Sequence, residues 1–334
     1  MTLTTMDWSG KTVLVTGAGG FIASHLVETL VRQGASVRAF VRYNSRNDPG
    51  LLAQLEPQTL AAVEIIAGDL RDLPALQQAA KGVDFIFHLG ALIAIPYSYL
   101  HPAEVVETNV LGTLNVLLAA RELGTARVIH TSTSEVYGTA LRVPIDESHP
   151  LQGQSPYSAS KIGADKLAES FHCSYGLPVV TVRPFNTYGP RQSARAVIPT
   201  IISQALTRGE LHLGNLETRR DFTFVSDTVS GFLCAAEANG VEGQTFNLGT
   251  GSEVTVGELV LMVGRILGRE LPVVQENARL RPEKSEVMRL LSDNRKAKAQ
   301  LGWQPAVDLE EGLTQTVEWI RRNLHLYRPY EYQR

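Results

Sequence analysis

The run Lys11-Thr-Val-Leu-Val-Thr16 leads without a break into Gly17-Ala-Gly-Gly20, after which residues 21–33 show helical spacing and Gly34 stands where a helix would end. An apolar β-rich run, a glycine turn and a helix make one strand–turn–helix unit. The alternation recurs, with strands expected at 36–41, 63–67, 83–89, 126–131 and 179–182 and helical patterns between most of them. Strands that alternate with helices build a parallel sheet covered on both faces, and such sheets bind ligands at the carboxyl ends of their strands. The chain is therefore expected to be α/β, and motifs at those strand ends carry the most weight.

Beyond about Pro190 the pattern loosens. Helices are expected over 196–207 and 256–267, with strand-like Asp221-Phe-Thr-Phe-Val225 and Thr245-Phe-Asn-Leu-Gly249 between them. The chain reads as a Rossmann-type doubly wound parallel sheet in residues 1–190, joined by a strand and helix returning from about 221–250, with a smaller mixed α/β C-terminal substrate-binding cap in 191–334. A length of 334 residues has room for this, because single cores stop growing near ~250 to 300 residues. The 31 Lys and Arg against 34 Asp and Glu leave a net charge of −3, too little to draw nucleic acid or an anionic membrane. The longest strongly apolar run, residues 85–96, falls short of the ~20 needed to span a bilayer and reads as a buried strand with its following loop. Residues 1–8 lack the basic and apolar regions of a secretory signal. Cys173 and Cys234 sit in apolar helical contexts without metal-ligand spacing, so buried thiols, no metal and a reducing cytoplasm are expected. His88, on an apolar strand, reads as a satisfied core group.

Gly17, Gly20 and Ala23 set a Gly-x-x-Gly-x-x-Ala pattern after the first strand. It lets the backbone approach a diphosphate at a helix N-terminus, although such a turn can also be merely tight. Asp69, in Gly68-Asp-Leu70, has two readings: a partner for an adenine edge or a helix cap. NAD selection usually relies on an acidic residue after the second strand, yet Phe40-Val-Arg42-Tyr-Asn-Ser-Arg46 offers guanidinium and hydroxyl groups. Arg42 is the candidate for a 2′-phosphate, with arginines on a solvated loop as the alternative. NAD(P) is expected on both readings, and NADP is tolerated or preferred on the first.

Tyr157 and Lys161 stand one helical turn apart in Ser155-Pro-Tyr-Ser-Ala-Ser-Lys161, where Ser155 suits the N-cap and Pro156 the first helical position. A tyrosine normally titrates near ~10, and a neighbouring ammonium favours the phenolate, a proton acceptor for a sugar hydroxyl. Glu135, in Ser132-Thr-Ser-Glu-Val-Tyr-Gly138, would be a second base. One base removes a hydroxyl proton and the other a carbon-bound proton made acidic by the new ketone.

Together with His88-Leu-Gly-Ala91, Asn109-Val-Leu-Gly-Thr113, Arg183-Pro-Phe-Asn-Thr-Tyr-Gly-Pro190 and Arg220-Asp-Phe222, these motifs are similar to the extended short-chain dehydrogenase/reductase family, specifically its nucleotide-sugar epimerases and dehydratases. The likeness spans nearly the whole chain. Ile95-Pro-Tyr-Ser98, the stretch from Pro184 to Arg195, and Arg281-Pro-Glu-Lys-Ser-Glu286 resemble the N-acetylglucosamine-nucleotide 4,6-dehydratases of the legionaminic acid pathway. The resemblance implies that Tyr157 takes the C4 hydroxyl proton, Lys161 holds the nicotinamide ribose, Thr133 bonds the sugar near C4 and Glu135 takes the C5 proton. Water then leaves C6, and the hydride returns there. It places Gly17, Gly20, Phe21, Ile22, Arg42, Asp69, Leu70, Leu89, Ala91 and Asn109 around the cofactor, and Asn186, Arg191, Arg220 and Arg281 around the nucleotide sugar. The alternative for Arg219 and Arg220 is a surface pair bonding Asp221 or Glu217.

Two departures stand out. Ser134 replaces the aspartate with which deoxythymidine-diphosphoglucose dehydratases protonate the leaving hydroxyl, matching the guanosine-diphosphomannose type, so Glu135 would serve both steps. Ala23 replaces the third glycine. The family also implies a homodimer through a four-helix bundle, formed by helices near residues 102–123 and 157–175. Rival activities are a 4-epimerase, which needs no C5 base, a uronic-acid decarboxylase, and a non-catalytic NAD(P) sensor.

Overall fold

The computed structural model describes residues 6–331 apart from Arg281. Its centre is a seven-stranded, all-parallel sheet of the Rossmann type. Six strands come from residues 12–184: β1 (Thr12–Thr16), β2 (Ser36–Arg42), β3 (Val63–Gly68), β4 (Phe85–His88), β5 (Arg127–Thr131) and β6 (Val179–Pro184). The seventh, Thr245–Leu248, pairs with β6 to give the order seventh-β6-β5-β4-β1-β2-β3. Continuous apolar runs such as Thr12-Val-Leu-Val-Thr16 suit strands covered on both faces, and Val13, Leu14 and Val15 are fully buried. The reversal of strand order beside β1 opens a crevice at the carboxyl ends of β1 and β4.

β4 ends at His88, one residue before the expected limit. The chain must leave the sheet there, because a Cβ on Gly17 would lie 2.6 Å from the Gly90 Cα, so the two loops cross with no room for side chains. Gly17 also has φ +66°, which glycine adopts without strain. His88 is buried and satisfied, with Nδ1 2.8 Å from Thr16 Oγ1 and Nε2 3.0 Å from Thr113 Oγ1.

After β6 the chain builds a smaller lobe from short strands and helices. Asn186–Tyr188 pairs with Phe222–Phe224, and Arg219–Arg220 lies between Val254–Thr255 and Arg289–Leu290. The helices Val197–Thr207 and Val256–Leu267 bury apolar faces in the largest core cluster, as does Leu309–Arg322. Tyr137 and Tyr188 are packing residues, both about fully buried.

Two expectations fail. Cys173 is exposed and Cys234 only half-buried, because the helix Pro156–Tyr175 turns Cys173 to its outer face. The residues 102–123 form one helical run with mean hydropathy 1.2, which by length and composition could cross a membrane, a run longer than the apolar stretch 85–96. Half of its apolar window is buried within the fold, and the run packs against the helices Leu73–Ala80 and Pro156–Tyr175.

Candidate active site

The cofactor end is built on backbone. Gly20 caps the helix Phe21–Arg32 with no side-chain bond, leaving the amides of Phe21 and Ile22 at a helix N-terminus, where a diphosphate is favoured by the helix dipole. Beside it a slot of about 120 Å³ is lined by Gly17, Arg42, Asp69, Leu70, Ala91 and neighbours. Leu89 precedes this wall, and a Cβ on Gly90 would meet Leu70 at 2.8 Å. A narrow slot with glycine walls fits a flat ring and its ribose, so NAD(P) suits these residues.

Three groups differ in detail from expectation. Asp69 is bound by Arg71, which donates Nε at 3.0 Å and Nη2 at 2.7 Å; these bonds hold the carboxyl down at about 2. Arg42 is exposed and pairs with Glu104 at 3.3 Å. Asn109 is fully buried in a π-helical turn and does not line the slot. Its Nδ2 donates to the Leu92 carbonyl and to Ser160 Oγ, both at 2.9 Å, and its Oδ1 accepts the Leu92 amide at 2.7 Å. It ties the loop after β4 to the helix of Tyr157.

That helix, Pro156–Tyr175, opens with a capping box of Ser155 and Ser158 and with Pro156 in its first turn. Tyr157 is buried and hydrogen-bonded to the Thr133 side chain, and Lys161 donates from Nζ to the Thr131 carbonyl at 2.6 Å. Burial pushes the Tyr157 phenol well above its ordinary value. The Thr133 bond works against this, while the charges of Glu135 and Asp165 add to it. The expected phenolate is therefore not favoured in the protein alone, because burial outweighs the Thr133 bond. Burial lowers the Lys161 ammonium to about 8, against the pull of Asp165.

Thr133, Glu135 and Tyr157 line one cavity of about 430 Å³ together with Asn186 and Arg220. Ile93, Ile95 and Pro96 give it an apolar wall. Asn186 Oδ1 is buried with no hydrogen-bond partner among the described residues. Arg220, 7 % exposed, donates from Nη1 to the Arg219 carbonyl at 2.9 Å and lies 3.7 Å from Glu286. The proposed bond to Asp221 does not form: that carboxylate accepts Thr250 Oγ1 and the amides of Thr250, Gly251 and Ser292. Proton acceptors and a buried arginine lining one cavity match an alcohol with an anionic tail.

Other expected site residues lie elsewhere. Ser134 is buried in the turn Ser134–Tyr137 and does not line the cavity. Arg191 is drawn away to Glu28 of the first helix, 2.6 Å from its Nη2, with φ +69°. A buried guanidinium needs a carboxylate, and Glu28 supplies it. Arg281 lies outside the described residues. The cavity instead gathers Gln192, Arg195, Arg279 and Glu286. Arg279 stands two residues before Arg281 in the same Arg-Leu-Arg run, the one signal that could have found it.

The sequence profile described as GDP-mannose 4,6 dehydratase matches residues 14–316. The chain is 33 % identical to the dTDP-D-glucose 4,6-dehydratase of Mus musculus over 331 residues, 96 % of this chain and 92 % of that one. It is 35 % identical to the UDP-glucose 4-epimerase of Mycolicibacterium smegmatis over 315 residues, 92 % and 98 % of the two chains. Among solved structures it is similar to the dTDP-glucose 4,6-dehydratase of Streptomyces venezuelae with NAD bound, at TM-score 0.85 and 32 % identity, covering 96 % of this chain and 100 % of that one. The UDP-glucose 4-epimerase of Thermotoga maritima with UDP-glucose gives TM-score 0.85 at 31 % identity, over 94 % and 99 %. With the crevice, the Tyr157–Lys161 helix and this likeness along almost its full length, the chain belongs to the GDP-mannose 4,6 dehydratase family of nucleotide-sugar dehydratases and epimerases.

Proposed function

We propose that the protein is an NAD(P)-dependent nucleotide-sugar 4,6-dehydratase that converts an N-acetylglucosamine nucleotide, UDP- or GDP-linked, to its 4-keto-6-deoxy sugar. The observation that carries this is Glu135 on the same cavity wall as Tyr157, because a 4-epimerase has no use for a second base. The wall of Ile93, Ile95 and Pro96 gives a C6 carboxylate no partner, but Arg195 lines the same cavity and could hold one, so the decarboxylase is the second reading.

In this reading the 1–190 region with the returning 221–250 stretch holds the cofactor, and 191–334 holds the nucleotide. NAD(P) held there would supply the hydride acceptor for C4 and the hydride donor for C6. Thr133 orients the C4 hydroxyl and Tyr157 accepts its proton as the ketone forms. Lys161 holds the ribose. Glu135 then removes the C5 proton, which the ketone has acidified; the C5–C6 double bond forms as the C6–O bond breaks, Glu135 gives its proton to the departing hydroxyl as water, and as hydride adds to C6 a proton equivalent to the one Tyr157 took is restored to C5. Asn186 and Arg220 hold the diphosphate, with Arg195 and Arg279 near them. Arg42 is assigned to a 2′-phosphate, so that NADP is accepted beside NAD, and the reaction is assigned to the cytoplasm.

Incubation with UDP- and GDP-linked glucose, N-acetylglucosamine, mannose and glucuronate, with NAD or NADP added, should yield loss of one water from an N-acetylglucosamine nucleotide by mass spectrometry. Deuterium at C4 should appear on the C6 methyl of the same molecule. Loss of carbon dioxide, or unchanged mass with inverted C4, would replace the dehydratase by a decarboxylase or an epimerase.

A homodimer belongs to the same reading. Val106 and Leu111 remain 45 % and 41 % exposed on the 102–123 run, beside the helix of Tyr157. A second copy burying them would complete a four-helix bundle. Sedimentation at micromolar concentration should give twice the chain mass; a monomer alone would end the idea.

A further inference from the structure

Asp165 is a buried carboxylate that the mechanism above leaves unused. It follows Tyr157 and Lys161 at eight and four residues on the same helix, so all three project from one face. Its Oδ1 is 3.1 Å from His130 Nε2, while Oδ2 accepts Ser132 Oγ at 2.8 Å and Arg183 Nε and Nη2 at 3.2 and 2.9 Å. Arg183 is itself fixed, donating from Nη1 to the Tyr137 hydroxyl at 2.9 Å, which donates on to Asn247.

His130 and Ser132 alternate along the chain with the two groups that meet the reacting pair: the Thr131 carbonyl receives Lys161, and Thr133 bonds Tyr157. We propose that Asp165 is a positioning residue, whose carboxylate, clamped by His130, Ser132 and Arg183, locks the helix of Tyr157 in register with the end of β5 and supplies the buried counter-charge for Lys161. The inference rests on Lys161 holding the cofactor, as in the function proposed above.

The charged and titratable surroundings are few. Lys161 faces Asp165 on its own helix, His130 from β5 and His88 from β4. Both histidines are held neutral by burial, so among the described residues Asp165 is the one anion opposing the burial of Lys161. Arg183 of β6 reaches the far side of Asp165, where a cleft of about 520 Å³ also brings Glu147, His149, Lys166 and Glu169 close. Removing the Asp165 charge leaves Lys161 easier to deprotonate, and the sign follows: cofactor binding that needs the ammonium must fail at lower pH.

The test is NAD affinity against pH, which does not depend on which sugar is turned over. Affinity in the parent protein should fall as pH rises through about 8, where Lys161 loses its proton. In Asp165→Asn the fall should begin about one pH unit lower, the ordinary effect of one close opposite charge, and Asp165→Glu should move it back. An unmoved fall in a folded Asp165→Asn overturns the proposal. Ser132→Ala removes one clamp bond and leaves no buried charge alone, so it tests the case in which Asp165→Asn does not fold. It should weaken NAD about tenfold, the worth of one hydrogen bond to a charged group, and parental affinity would overturn the clamp.

Discussion

Glu135→Gln should stop water loss while leaving oxidation at C4 intact. The amide fills the space of the carboxylate on the same cavity wall, but it cannot take the C5 proton. A positioned general base is worth about 10²- to 10⁴-fold, and here the same group also protonates the leaving hydroxyl, so a fall in kcat of roughly 10³-fold or more is expected, about 4 kcal/mol of barrier. KM should change little, since Arg220 and Asn186, which line the same cavity, are untouched. The variant should also show a diagnostic intermediate state: the near-ultraviolet absorbance of reduced nicotinamide should build in a burst and persist, because the stored hydride has no acceptor. Turnover at the parental rate, or the absence of any burst, would remove Glu135 from the role assigned to it.

Tyr157→Phe should act one step earlier. The phenol is the group placed to take the C4 hydroxyl proton, bonded to Thr133 and buried from water. Its loss should lower kcat by about 10³-fold with no absorbance burst, since oxidation itself fails. The two variants therefore give opposite spectra with the same loss of product. Burial raises the Tyr157 phenol, so in the parent the proton-accepting form grows with rising pH. Lys161, lowered to about 8, loses its charge above that value. The rate should climb through the neutral range and break on the alkaline side, and Tyr157→Phe should lose the climbing limb. A pH profile flat from 6 to 9, a window on the order of that expected for groups so shifted, would contradict the assignment.

Much of this is legible in the sequence. The β1 run and its glycine turn can be read locally, because a doubly covered parallel strand is apolar at every position and the crossing of Gly17 over Gly90 excludes side chains. Tyr157 and Lys161 were legible for the same reason: helical spacing puts both on one face. What escaped depends on partners distant in sequence. Arg191 carries the chemistry of a phosphate ligand, yet Glu28, 163 residues away, claims its guanidinium. Asp165 could be placed on the right helix face, but its role appears only once β5 and β6 bring His130 and Arg183 against it. The phenol was misjudged because a lysine one turn away says nothing of its direction; Lys161 bonds a carbonyl, and burial then dominates.

The seventh strand carries a consequence for how the chain is made. Phe246 and Leu248 are fully buried against β6, yet they are translated only after the residues of Asn186–Tyr188, Leu211–Leu213 and Phe222–Phe224 have left the ribosome. Until then the rim of β6 is bare, with unpaired amides and carbonyls of the kind that recruit foreign strands. A nascent chain must shelter that rim through synthesis of the whole intervening stretch, so the two lobes mature together, and trimming the later one uncovers the earlier.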